Sequence, residues 1–254
     1  MASSRFPGKP LASILGIPMV GHVYFRSKMS KLMKDLYVAT CDKEIVKFIT
    51  SIGGRAIMTK DTHKRASDRT AEALLKIEAE TGEKADIVVM IQGDEPMVMP
   101  DMIDKAVQPM IGDSTLLITN LMSRLKSESE HDDKNEVKVV VALNNNALYF
   151  SREAIPSRWK IGPRVSMYKQ VCIIPFRRDF LLKFNELEPT PLEIAESVDM
   201  MRILEHGYHV KMVLSPEDTY SVDTKEDLER VESLMAGDRV VSLYKGKYIA
   251  SCAK

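Results

Sequence analysis

The sequence predicts an α/β protein whose mainly parallel sheet is flanked by helices. Three observations lead there. Short apolar runs alternate with helical stretches over the first ~120 residues, the pattern of βαβ units. Asp86-Ile87-Val88-Val89-Met90-Ile91 reads as a buried strand. Gln92-Gly93-Asp94-Glu95-Pro96 follows it directly, at the edge where open α/β sheets bind ligands.

In chain order, residues 36–40 read as a short buried strand. Cys41-Asp42-Lys43-Glu44 opens a helix over 45–52, which stops at Gly53-Gly54. Residues 56–58 form a second short strand, and Ser67-Asp68-Arg69 leads into a long helix over 70–80 that ends near Gly82. After the strand at 86–91, residues 101–110 are helical. Residues 123–135 are polar and charged and read as an exposed loop. Residues 137–143, Asn144-Asn145-Asn146 and residues 147–150 read as strand, turn and strand, a hairpin. A further strand covers 168–176. Thr190-Pro191-Leu192-Glu193 opens a helix to about His206, with Gly207 as its stop. Residues 210–214 are a strand, and Asp223 starts a helix to about Met235. From Gly237 onward the chain reads as a tail with weak strand character.

At 254 residues the chain can bury a sizeable core as one large domain, or one domain with a subdomain. Thirty-six basic residues balance 36 acidic ones, so no nucleic acid or anionic membrane is expected as a partner. The three cysteines, Cys41, Cys172 and Cys252, are far apart, which argues against a disulfide frame or structural zinc and fits a reducing cytoplasm. No apolar run reaches membrane-spanning length.

Three segments carry chemistry. Ser3, Ser4, Arg5, Gly8 and Lys9 fall within seven positions. Small residues let backbone approach an anion and the two bases supply charge, so the loop reads as a polyphosphate cradle, although no Walker motif is present. A Gly- and Pro-rich turn that happens to hold two bases is the bland alternative. Asp94 is placed to hold Mg²⁺ against a phosphate, since hard carboxylate oxygens suit that ion; otherwise it caps the turn, with Glu95 beside it as a supporting carboxylate. Asp223 reads as a helix N-cap with Glu226 as capping-box partner, and gains a second role if paired with Asp94 on one metal.

Taken together, these motifs resemble the 3-deoxy-manno-octulosonate cytidylyltransferases (CMP-KDO synthetases) of the nucleotide-sugar transferase superfamily. The resemblance runs over about residues 2–235. It is carried by the loop at 3–11, Val38-Ala39-Thr40, His63 with Asp68-Arg69, and Gln92-Gly93-Asp94-Glu95-Pro96. It continues through Asn135 with Val137-Lys138-Val139-Val140, residues 147–152 with Ile155-Pro156, Pro191-Leu192-Glu193 with Glu196 and Arg202, and Val222-Asp223-Thr224 with Glu226-Asp227-Leu228. It implies a Rossmann-like nucleotide domain with a small β-rich dimerisation and sugar-binding subdomain at 123–185. It also implies a cytoplasmic homodimer that joins CTP to the anomeric hydroxyl of a KDO-like acid with Mg²⁺ and releases pyrophosphate. Arg5, Lys9, Asp94 and Asp223 are then the catalytic set. Arg5 and Lys9 contact the triphosphate, with Ser3 and Ser4 in the same loop, and Asp94 and Asp223 hold the metal. Arg69 lies beside the nucleotide and Gln92 where nucleotide and sugar meet. Arg152, Glu193 and Glu196 face the sugar, with Gln170 nearby.

Three departures from the family pattern bear on function. The apolar strand usual before the phosphate loop is absent from this sequence, where Met1 directly precedes Ala2-Ser3-Ser4. Lys169-Gln170-Val171-Cys172-Ile173-Ile174 carries Gln170 and Ile174 where His and Tyr are usual, so another ulosonic acid or a phosphonate is an alternative acceptor. Arg65-Ala66 replaces Ser-Gly ahead of Ser67-Asp68-Arg69, which bears on the choice of base. A dimeric binding paralogue without turnover is the reading from a different class.

Overall fold

The computed structural model of the chain describes residues 6–159, 166–215 and 217–252. A 3-10 turn, Lys9–Leu11, precedes β1 (Ser13–Ile14), β2 (Ile17–Pro18), α1 (Met19–Ser27), β3 (Val38–Thr40), α2 (Lys43–Ser51), β4 (Ala56–Met58) and α3 (Ala66–Thr81). Next come β5 (Ile87–Ile91), α4 (Pro100–Gly112), β6 (Thr119–Arg124), α5 (Glu128–Asp132), β7 (Lys138–Val141) and β8 (Ala147–Ser151). The chain then forms β9 (Tyr168–Val171), β10 (Ile173–Arg177), α6 (Arg178–Glu186), α7 (Pro191–Glu196) and α8 (Asp199–Glu205). It ends with β11 (Lys211–Leu214), α9 (Lys225–Met235) and α10 (Arg239–Cys252). No helix among the described residues is long and apolar enough to cross a membrane.

The chain divides into two compact units. The first holds residues 1–84, 91–104 and 219–254; the second holds 85–90 and 105–218. In the first, β3 and β4 pair in parallel, with Val38 opposite Ala56 and Thr40 opposite Met58. The connecting helix α2 buries Ile45 and Ile49, one turn apart on one face, and Gly53 beyond its end takes φ 72°, which a side chain resists.

All nine residues of α1 are buried, including His22 and Arg26. A helix covered on every side shows no polar stripe, so its period is invisible in the sequence. The ring of His22 and the charge of Arg26 are bonded by Ile14, by Asp238 and by Tyr244 of α10. His22 Nε2 lies 2.8 Å from the Ile14 carbonyl, which can only accept, so Nε2 carries the proton. His22 Nδ1 therefore accepts from the Tyr244 hydroxyl at 2.6 Å, while Arg26 bonds the Tyr244 oxygen at 3.3 Å and pairs with Asp238. These contacts correct the expectation of a strand-like tail after Gly237. Val240, Val241 and Tyr244 look β-prone, but Val241 and Tyr244 fall on one helical face and pack into the core with Phe25.

The second unit is built on a five-stranded sheet of order β11-β6-β9-β7-β8. β11 and β6 run parallel; β6 with β9, β9 with β7, and β7 with β8 run antiparallel. The expected hairpin is present, its turn closed by Asn145 at φ 61°. Lys138 on β7 is fully buried, and its ammonium donates to the carbonyls of Asp133, Glu136 and Arg152 at 2.7, 2.7 and 2.5 Å.

Other boundaries shift for local reasons. The strand expected over 168–176 breaks at Cys172 into β9 and β10, which join different sheets. The helix expected over 190–206 breaks at Ser197, whose φ of 53° ends α7 before α8 begins. The loop expected over 123–135 begins as the end of β6 and contains α5, capped by Ser127 accepting from the Glu130 amide.

Candidate active site

Lys9 enters the site from the first unit's N-terminal segment. Gly8 takes φ 77°, which turns the chain into the Lys9–Leu11 turn, and the Leu11 amide closes on the Gly8 carbonyl at 2.9 Å. The Lys9 side chain points inward, and its ammonium lies 2.8 Å from Asp94 Oδ2 and 3.2 Å from Asp223 Oδ1. Burial lowers the Lys9 pKa, but the charges and hydrogen bonds of Asp94 and then Asp223 prevail and hold it above the ordinary 10.5.

Asp94 stands in the turn directly after β5, as expected from the strand-then-acid pattern. Its carbonyl accepts the Val222 amide at 2.9 Å, which draws the segment before α9 alongside that turn. Glu95, next in the chain, accepts from the Thr219 hydroxyl at 2.6 Å.

The expected capping role of Asp223 is corrected. Thr224 is the N-cap of α9, accepting from the Asp227 amide, and Asp227 rather than Glu226 closes the capping box. Asp227 Oδ2 in turn accepts the amides of Asp223 and Thr224 at 3.0 and 2.9 Å. With the cap moved one residue on, the Asp223 carboxylate reaches Lys9.

Two carboxylates facing one cation, partly open to solvent, form a donor set of hard oxygens. No group of three or more His, Cys, Asp or Glu residues among the described residues is arranged for a metal. The pair still suits an ion that keeps several waters and takes phosphate oxygens, because such an ion needs only one or two carboxylates.

Of the other expected nucleotide residues, Ser3, Ser4 and Arg5 lie outside the described residues. Gln92 is half-buried just past β5. Arg69 on α3 bonds the Thr59 hydroxyl and the Lys60 carbonyl, so its described contacts hold the end of β4.

Of the expected acceptor residues, Gln92 falls in the first unit, and Arg152, Gln170, Glu193 and Glu196 fall in the second. Glu196, at the end of α7, accepts from the Tyr149 hydroxyl at 3.1 Å, the Ser151 hydroxyl at 2.9 Å and the Arg152 amide at 2.9 Å. The Arg152 guanidinium donates to the carbonyls of Glu196 and Lys134 at 3.0 and 2.9 Å. Glu193 is 1% exposed, and Arg202 binds both of its carboxylate oxygens at 2.6 Å. Gln170 Nε2 donates to Asn120 Oδ1 at 2.6 Å. Because Asn120 Nδ2 donates to the Val171 carbonyl, only its oxygen can face Gln170, and the Gln170 amide is thereby oriented. Ile174, expected near the sugar, is buried within β10.

Residues 1–242 match the cytidylyltransferase family. The chain belongs to that family. It is similar to the 3-deoxy-manno-octulosonate cytidylyltransferase of Geobacter metallireducens, with 41% identity over 240 residues covering 91% of this chain and 92% of the relative. The protein of the same name from Syntrophobacter fumaroxidans is 41% identical over 239 residues, covering 94% of each. Among solved structures, a CMP:2-keto-3-deoxy-manno-octonic acid synthetase complexed with CTP superposes with TM-score 0.84 at 36% identity, covering 92% of this chain and 94% of that one. A putative glucose-1-phosphate thymidylyltransferase from Bacillus anthracis superposes with TM-score 0.63 at 18% identity, covering 94% of this chain and 93% of that one, and shares the fold.

Within this cytidylyltransferase, the Lys9–Asp94–Asp223 cluster joins three segments that the sequence shows far apart. Thr219 had no sequence signal as a site residue, since a lone Thr in an irregular stretch carries no pattern. Asp227 stood among the residues that carry the family resemblance, but the capping-box position was expected of Glu226.

Proposed function

We propose that this chain transfers CMP from CTP to the anomeric hydroxyl of a 3-deoxy-2-ulosonic acid of the KDO type, releasing pyrophosphate. The observation that carries the reading is the Lys9 ammonium held between Asp94 and Asp223. The relatives named above support the nucleotide and the acceptor.

In this reading Lys9, together with Arg5, Ser3 and Ser4 of the same loop, binds the triphosphate. Asp94 and Asp223 hold Mg²⁺, which when bound supplies positive charge against the phosphoryl oxygens. Lys9, released from the carboxylates, neutralises charge on the departing pyrophosphate. Catalysis of in-line displacement at the α-phosphate is then chiefly positioning and charge neutralisation. Gln92 and Arg69 border the nucleotide. Arg152, Gln170 and Glu196 orient the acceptor, while Glu193, through Arg202, supports the helix that carries Glu196. The proposal extends to a cytoplasmic homodimer, checked by light scattering of the purified protein.

A second acceptor is favoured by Gln170. A neutral, oriented amide recognises a hydroxyl differently from an imidazole, so another ulosonic acid or a phosphonate is the rival substrate. The deciding experiment is pyrophosphate release with CTP and Mg²⁺ across KDO, related ulosonic acids and phosphonates. KDO is expected to give the highest kcat/KM. Release with none of these acids overturns the enzymatic reading, and preference for a different acid moves the assignment to that acid.

A further inference from the structure

Glu95 has no direct role in the chemistry just described, yet it is a carboxylate only 6% exposed. Burying such a group is costly unless it is well bonded, and an apolar residue of similar size fills the same space without that cost. Its Oε2 accepts the Thr219 hydroxyl at 2.6 Å across 124 positions of chain. A second tie lies beside it, where the Asp94 carbonyl accepts the Val222 amide at 2.9 Å. The turn that carries Asp94 and the segment that carries Asp223 are thus fastened at two points. Asp94 itself makes one tie and adjoins Glu95; Asp223 adjoins Val222.

The two ties differ in what they restrain. A single backbone bond lets the turn pivot about the line joining its two atoms. A second bond away from that line removes the pivot. Pivoting would swing the Asp94 carboxylate relative to Asp223, and small divalent ions such as Mg²⁺ tolerate little change in ligand distance.

We propose that Glu95 and Thr219 are positioning residues: their hydrogen bond fixes the spacing of the Asp94 and Asp223 carboxylates and thereby sets affinity for the divalent cation that accompanies the nucleotide. The inference rests on the proposed function, in which those carboxylates hold the metal.

The test is Mn²⁺ binding to the full chain in the presence of CTP, followed by electron paramagnetic resonance. Wild type is compared with Thr219→Val, Thr219→Ser and Asp94→Asn, with unfolding midpoints recorded alongside. Thr219→Val keeps the side-chain shape and loses the hydroxyl. It is expected to weaken Mn²⁺ binding about tenfold, as loss of a partner behind a metal ligand commonly does. Thr219→Ser regains the hydroxyl and is expected to bind within about twofold of wild type. If Thr219→Val does not fold, Thr219→Ala lacks the same hydroxyl and gives the same readout. Wild-type Mn²⁺ affinity in a folded variant without the hydroxyl overturns the inference. An equal loss in Thr219→Ser also overturns it, because the methyl packing would then be the cause. Asp94→Asn separates the two levels: unchanged Mn²⁺ binding there overturns the metal assignment itself, whatever the Thr219 variants do.

Discussion

Lys9 and Asp94, 85 positions apart in the chain, meet at 2.8 Å. The same ammonium reaches Asp223, so one positive charge bridges two carboxylates that would otherwise repel each other more strongly. In the proposed function it occupies the ground the metal ion would take, so the two cations would compete for the same oxygens.

Lys9→Met should therefore raise the affinity for free Mn²⁺ measured without nucleotide, while lowering pyrophosphate release about 100-fold or more. Unchanged Mn²⁺ affinity would show that Lys9 does not compete for those carboxylates. The ion pair also has a pH signature. Lys9 titrates above its ordinary 10.5 in the folded chain, so its contribution to stability is complete below pH 10.5 and disappears as pH rises through the folded-state value. Alkaline melting curves of wild type should show an extra loss that Lys9→Met lacks.

Asp223 and Thr224 separate function from capping. Thr224→Ala removes the N-cap of α9 and should cost about 1 kcal/mol by urea denaturation. It should leave most of the turnover. Asp223→Asn keeps the cap and should leave stability within about 0.5 kcal/mol of wild type while abolishing pyrophosphate release. The reverse pattern would return Asp223 to a structural role.

His22 should make the protein acid-sensitive. Burial pushes its pKa down to about 4 from 6.5, with the Arg26 charge adding to the depression and the Ile14 backbone bond opposing it. The unfolded chain therefore binds the extra proton first. Stability is complete above pH 6.5 and falls as pH drops from 6.5 toward 4, by on the order of 3 kcal/mol. His22→Gln, compared across the same pH range, should lose less stability on acidification even if it starts lower. An identical slope in the two proteins would refute this source of acid sensitivity.

Arg202→Met leaves the Glu193 carboxylate buried beside no guanidinium. The expected loss is about 3–5 kcal/mol, read by chemical denaturation. Double replacement with Glu193→Leu should recover part of it. If the single variant is as stable as wild type, the pair does not hold α7 and α8 together.

Much of this architecture was legible in the chain. The run at 86–91 and the acid after it located β5 and Asp94, because a strand's apolar sequence and the turn beyond it are local signals. Gly8 announced the turn that carries Lys9 for the same reason. Asp227 took the capping-box position expected of Glu226 because a cap is decided by a one-residue choice of where the helix starts, and tertiary contact to Lys9 settles that choice. Helix α1 escaped notice because burial on every face erases its period, and α10 read as strand until Tyr244 found His22 and Arg26. The amino-acid sequence by itself determined the α/β class, the order of the elements and the residue types available for nucleotide chemistry, since those follow from hydrophobic spacing and local backbone preference. Only the tertiary structure decided that Lys9 stands between Asp94 and Asp223, that Thr219 holds Glu95, and that Glu193 is buried with Arg202. Contacts between distant segments depend on packing, which no local spacing encodes.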